Sequence, residues 1–115
     1  MVDDIYQRLD VRDSAIFVTA VKTHQFGGIL VVECMYWGTD PHRQFELIFE
    51  DCSKIEWEIN DDYKGIDTEA DVIGVDFDDD HYQAAIQTDI FAIQVLYRKL
   101  TINKIGDWSN LSFTS

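Results

Sequence analysis

Two runs of strict alternation lie close together near the middle of the chain. Phe45, Leu47 and Phe49 form the first, and Ile55, Trp57 and Ile59 the second, with Glu46, Ile48, Glu50, Glu56 and Glu58 between them. A period of two belongs to β-strands, where successive side chains point to opposite faces. All six apolar positions keep one parity across Asp51-Cys52-Ser53. That parity fits one long bent strand or two strands joined at a kink, and a hairpin reversal within three residues is less favoured. In either case one face is buried and the other is lined with glutamates.

The same period governs most of the remaining sequence. Residues 15–23 predict a strand with Ile16, Val18 and Ala20 on one face and Phe17, Thr19 and Val21 on the other. His24-Gln25-Phe26-Gly27-Gly28 predicts a turn, the paired glycines supplying positive φ. Residues 29–37 return as the partner strand, with Leu30, Val32, Cys34 and Tyr36 chosen for the core. Asp40-Pro41 marks another turn. Residues 60–70 read as a polar loop, and residues 72–77 as a short strand with Ile73, Val75 and Phe77 inward. Asp78-Asp79-Asp80 turns the chain into a strand over 82–88, followed by 90–97, a bend or bulge at Arg98-Lys99, and a strand over 100–105. Residues 2–12 fit a short helix or an irregular lead-in strand equally well, since Ile5, Tyr6 and Leu9 have helical spacing. Trp108 and Leu111 are candidates to fold back onto the sheet.

About seven strands at short spacing, with no helix long enough for a parallel crossover, predict a mainly β fold. Its expected form is an antiparallel sandwich or a strongly curved, partly closed sheet. The 115 residues amount to a single β-rich domain over 1–115. Hydrophobic residues make up 46% of them, enough for one core without a disulfide scaffold. Residues 29–37 and 90–97 are apolar on both faces, so the second face needs a cover. The N-terminal segment or the Trp108 tail would provide it, with a homodimer contact as the alternative.

Charge narrows the choice of partner. Nine Lys and Arg stand against 22 Asp and Glu, a formal net charge of −13. Such a field repels nucleic acid and anionic membranes and attracts a basic protein surface or cations. Half of the acids fall between Glu56 and Asp80, with Lys64 the only base among them. The candidate acidic interaction surface comprises Glu56, Glu58, Asp61, Asp62, Asp67, Glu69, Asp76, Asp78, Asp79 and Asp80. No apolar run approaches the roughly 20 residues a membrane helix needs. The opening Met1-Val2-Asp3-Asp4 lacks the basic start of a signal peptide. With only Cys34 and Cys52, a cytoplasmic protein with reduced, structural thiols is expected.

Motifs for chemistry are missing. Residues 76–87 depart from a calcium loop, with His81 where glycine belongs and Gln87 where glutamate belongs. His24, His42 and His81 fall in predicted turns and have no partners at zinc-ligand spacing. Ser14 and Ser53 lack the surroundings of a nucleophile, and Gly27-Gly28 is too short for a phosphate loop. Carboxylates are plentiful, but nothing selects two as acid and base. The sequence predicts no catalytic residue, metal or cofactor and leans away from an enzyme. A candidate aromatic pocket of Tyr36, Trp37, Trp57 and Tyr97 keeps a small-ligand or enzymatic site open as an alternative.

The order of features resembles small bacterial all-β proteins of the polymorphic-toxin immunity type. The residues concerned are Asp13-Ser14-Ala15-Ile16, the hairpin after them, the stretch from Phe45 to Trp57, and the segment from Asp89-Ile90-Phe91 to Ile102. The resemblance carries over no catalytic residue. The concentrated carboxylates from Glu56 to Asp80 and the absence of catalytic motifs lead to the expectation of a non-enzymatic, acidic protein-binding domain, an inhibitor or immunity-like partner of a basic protein.

Overall fold

The central alternation becomes two strands in the computed structural model, which describes residues 2–60, 65, 69–106 and 108. In chain order the described strands and α-helix are β1 (Val2–Asp4), α1 (Ile5–Leu9), β2 (Ile16–His24), β3 (Ile29–Tyr36), β4 (Arg43–Glu50) and β5 (Lys54–Ile59), with a 3-10 turn over Gln25–Gly27 between β2 and β3. β6 (Ala70–Asp78), β7 (Gln83–Thr88), β8 (Phe91–Leu96) and β9 (Lys99–Ile105) follow. The strands form one antiparallel sheet in the order β5-β8-β7-β6-β2-β3-β4-β9, and β1 pairs with the far end of β6. The sheet is not closed. It curves around a single core, so the mainly β, partly open architecture expected from the sequence is the one adopted.

Curvature is concentrated at a few places. β4 and β5 do not pair with each other; they pair in succession with β9 and β8. The two lines therefore make one long ribbon that bends at residues 51–53 and 97–98. Backbone bonds from Arg98 N–H to Glu50 O (3.0 Å) and from Ser53 N–H to Leu96 O (2.9 Å) hold that corner. Asp51 turns it with φ 53°. This is the kink across Asp51-Cys52-Ser53, with no hairpin reversal. The opposite corner lies where β2 meets β6, at Phe17–Asp71 and Val18–Ala70. Each of those strands carries a bulge there, between Val18 and Ala20 and between Val72 and Gly74. A bulge adds a residue to one strand, bends it and reverses the parity beyond it.

Those bulges correct two expectations. Ala20 pairs with outward Glu33, and Val21 opposite Val32 packs on the core instead. Ile73 points outward and is 66% exposed, while Val75 and Phe77 are buried as expected. A third correction concerns β5, whose Trp57 and Ile59 are 46% and 51% exposed. Among the described residues β5 ends the sheet, and Trp57 and Ile59 border a groove there instead of packing under another strand. The nine described strands, against about seven expected, come from counting the bent strand twice and from β1.

The core joins Leu30, Val32, Tyr36, Phe45, Leu47 and Phe49 from one half to Phe77, Ile86, Ile93 and Val95 from the other. Full burial of each large apolar side chain contributes about 1.5–3 kcal/mol. Ile5 and Leu9 of α1 belong to the same core. Asp4 caps the helix: its carboxylate accepts from Gln7 N–H at 2.9 Å, and its own N–H donates to Gln7 Oε1 at 2.9 Å. Both N-terminal options thus occur in sequence, a strand and then a helix. Trp108 stacks near Tyr36 at the mouth of the core, with ring centroids 6.3 Å apart. Neither the helix nor Trp108 covers the second face of β3, where Ile29, Val31 and Met35 are half-buried among cross-strand neighbours. Leu111 lies outside the described residues. The turn before β3 puts positive φ at Gln25, Phe26 and Gly27, not at the Gly27-Gly28 pair.

Candidate functional site

The register of four neighbouring strands decides where the acids go. On the outer face Glu56 stands opposite Gln94, Gln94 opposite Ala85, and Ala85 opposite Asp76. Asp76 in turn faces Asp4 of β1. The next rows hold Lys54–Leu96–Gln83–Asp78 and Glu58–Ala92–Gln87. This face holds a depression of about 330 Å³, lined by Glu56, Asp76, Asp78, Gln83, Ala85 and Gln94 among others. Lys54 is the one base lining it, and its Nζ is 2.8 Å from Glu56. Three strand spacings of ~4.8 Å put the glutamate rim roughly 14 Å from the aspartate rim.

The ten acids proposed from sequence are therefore divided. Glu56, Glu58, Asp76 and Asp78 share this face. Asp79 and Asp80 lie in the β6–β7 turn, where Asp79 accepts a bond from Arg8 at 2.7 Å. Glu69 borders a different groove. Asp61, Asp62 and Asp67 lie outside the described residues. Sequence reasoning missed the amides of Gln83, Gln87 and Gln94; their signal was a polar residue at the outward positions of β7 and β8.

Two charge pairs anchor the rim. Arg8 binds Asp3 through two bonds (2.5 and 3.0 Å) while its guanidinium lies 4.9 Å from the centre of the Phe77 ring. The bond to Arg8 holds the Asp3 carboxyl below its ordinary pKa, against a smaller opposing effect of burial. His81 Nδ1 sits 2.8 Å from Asp78 Oδ2, and this bond likewise lowers the Asp78 pKa. The other oxygen, Asp78 Oδ1, is buried without a partner among the described residues.

The four aromatic residues do not gather. Tyr36 is buried, its hydroxyl donating to Arg12 O at 2.7 Å. Trp37 stacks on His42 at 4.2 Å, Trp57 on Phe91 at 4.8 Å, and Tyr97 packs by Phe49 at 5.1 Å. Burial raises the phenol pKa of both Tyr36 and Tyr97. Each of the four thus has a different ring neighbour, and three of the contacts are packing within or beside the core.

Trp57 has a second environment. Where the sheet fails to close, the free edge of β5 faces β2 across a groove of about 220 Å³. Trp57, Ile59, Ile90 and Phe91 line one side, Val18 to Val21 the other, with Glu69 and Ala70 at its border. Among the described residues β5 pairs only with β8. The bond from Asn60 N–H to Ile90 O (2.7 Å) continues that ladder. Backbone groups alternate in direction along an antiparallel strand. The even residues therefore bond β8, and Ile55, Trp57 and Ile59 direct theirs to the open edge.

Cys34 is buried and Cys52 half-buried, at opposite ends of the β3–β4 hairpin, and both are free thiols. Burial raises both thiol pKa values, which suppresses the reactive thiolate. All three histidines are exposed. Among the described residues no group of three or more His, Cys, Asp or Glu is placed to hold a metal ion. No described helix is long and apolar enough to cross a membrane. Comparison of the chain with protein-family models, curated proteins and solved structures gives no match.

Proposed function

We propose that this chain is a non-enzymatic binding protein whose acidic outer face, on β5, β8, β7 and β6, takes a basic protein. One observation carries the reading. A single row across five strands runs Asp4–Asp76–Ala85–Gln94–Glu56, with carboxylates at both ends and no base within it. Asp4 is engaged in capping α1, so an external cation would meet Asp76 at one end of the row and Glu56, shared with Lys54, at the other. The glutamine amides and small side chains between the rims suit a flat, polar contact with Lys and Arg side chains reaching the carboxylates on either side. An inhibitor of a basic toxin, as in the immunity-type proteins the sequence resembles, is the biological role that fits such a face.

The test compares two variants of equal net charge against a cationic probe protein such as lysozyme. One carries Glu56→Gln, Glu58→Gln and Asp76→Asn; the other neutralises Asp10, Asp13 and Asp51, which lie off this face. Affinity at low salt should fall at least ten-fold in the first and little in the second, and the wild-type affinity should fall as salt is added. Equal losses in both variants would assign the attraction to net charge alone and remove the face from the proposal.

A further inference from the structure

The edge of β5 extends this surface into a place where backbone can be recognised. We infer that it receives an extended, cationic segment of a partner as an added β-strand, seated beside the groove between β5 and β2. The inference takes the sign of the partner's charge from the proposed acidic face and rests otherwise on its own geometry.

Three features coincide on β5. First, Ile55, Trp57 and Ile59 direct backbone groups to the open edge, where no described residue pairs with them. An exposed row of such groups is a template for another strand. Second, Trp57 and Ile59 place exposed apolar side chains on the groove side of that edge. β2 meets β6 only at Phe17 and Val18, so from Ala20 to His24 it too has a strand on one side only. Among the described residues the groove is thus a slot between two strands that each lack a neighbour on that side. Third, the opposite face of β5 carries Glu56 and Glu58, and Glu69 borders the slot.

Together these define the occupant. A strand laid on β5 alternates its side chains between the two faces. On the groove side it needs apolar groups to cover Trp57 and Ile59. On the other side it needs Lys or Arg beside Glu56 and Glu58. A second copy of this chain meets the requirement poorly, because pairing β5 with itself about Trp57 would set Glu56 opposite the partner's Glu58. A foreign segment alternating basic and apolar residues meets it throughout. The six residues of β5 span about 20 Å, the length of an ordinary strand.

The probe is a synthetic peptide alternating lysine and valine with blocked ends, compared with its glutamate–valine counterpart. Amide exchange and chemical shifts of the isotope-labelled chain are followed by NMR. On binding the lysine peptide, exchange at Ile55, Trp57 and Ile59 should slow at least ten-fold, while the even residues of β5, already bonded to β8, change less. Ile59→Pro removes one edge donor without touching the β8 ladder, and Trp57→Thr removes the apolar contact; each should weaken binding about ten-fold. If Ile59→Pro unfolds the chain, the wild-type exchange data still decide.

Binding that shifts Asp76 and Gln94 without slowing exchange at the β5 edge overturns the strand inference and leaves the acidic face standing. Equal binding of the glutamate peptide also overturns it, since charge then plays no part. If the lysine peptide fails while the cationic protein binds, the inference falls alone. If neither binds, both proposals fall.

Discussion

Arg8 shows how much of this molecule rests on contacts between residues far apart in sequence. It ties Asp3 and Asp79 together and covers Phe77, so the N-terminal strand, the helix and the β6–β7 turn share one guanidinium. The consequence for pH follows from Asp3. Its folded pKa lies below the ordinary 3.8, so the stability it contributes is fully present above 3.8 and is lost as pH falls from there through the lower folded pKa. Arg8→Gln should return Asp3 toward 3.8 and flatten that part of the acid limb of a urea-midpoint profile. Identical acid limbs in the two proteins would show that Arg8 does not set the Asp3 pKa. Asp78 is lowered by His81 in the same direction, and this contribution should persist in the variant.

At the scale of elements, the bulges in β2 and β6 carry the fold from one half of the sheet to the other. They also decide which side chains are core. Ile73 and Phe77 share a parity in sequence, yet one is 66% exposed and the other fully buried. Ile73→Thr should change the free energy of unfolding by no more than about 0.5 kcal/mol. Phe77→Ala should cost about 3–5 kcal/mol. Denaturant titration of the two variants measures the difference, and a large loss in Ile73→Thr would place the bulge elsewhere. The alternation of residues 45–49 was legible because no bulge interrupts β4. β5 kept the same alternation, but among the described residues it ends the sheet beside a groove, and no periodicity reports that.

For the whole molecule the net charge of −13 dominates. Four of the ten candidate acids converge on one outer face, and like charges there raise the energy of the folded state. Screening should relieve it: raising salt from about 0.01 M to about 0.5 M shortens the Debye length from ~30 Å to a few Å. The thermal midpoint should rise accordingly, and less so in the Glu56→Gln, Glu58→Gln, Asp76→Asn variant. A midpoint indifferent to salt would mean the face carries no net strain. The acids were visible as a run in the sequence. Their division between a face, a turn tip and a groove border was not, because it depends on which strands pair.

By itself the sequence determined the strands, since alternation is a local property that the backbone converts directly into an inside and an outside. It also determined the sign of the molecule's field and the turns at Asp40-Pro41 and residues 78–80. Only the tertiary structure decided where parity reverses, which strand ends the sheet, and which carboxylates stand opposite one another. Those depend on pairing between residues distant in the chain, and a bulge or an unclosed seam leaves no period of its own. The acidic face and the open edge of β5 are products of that pairing.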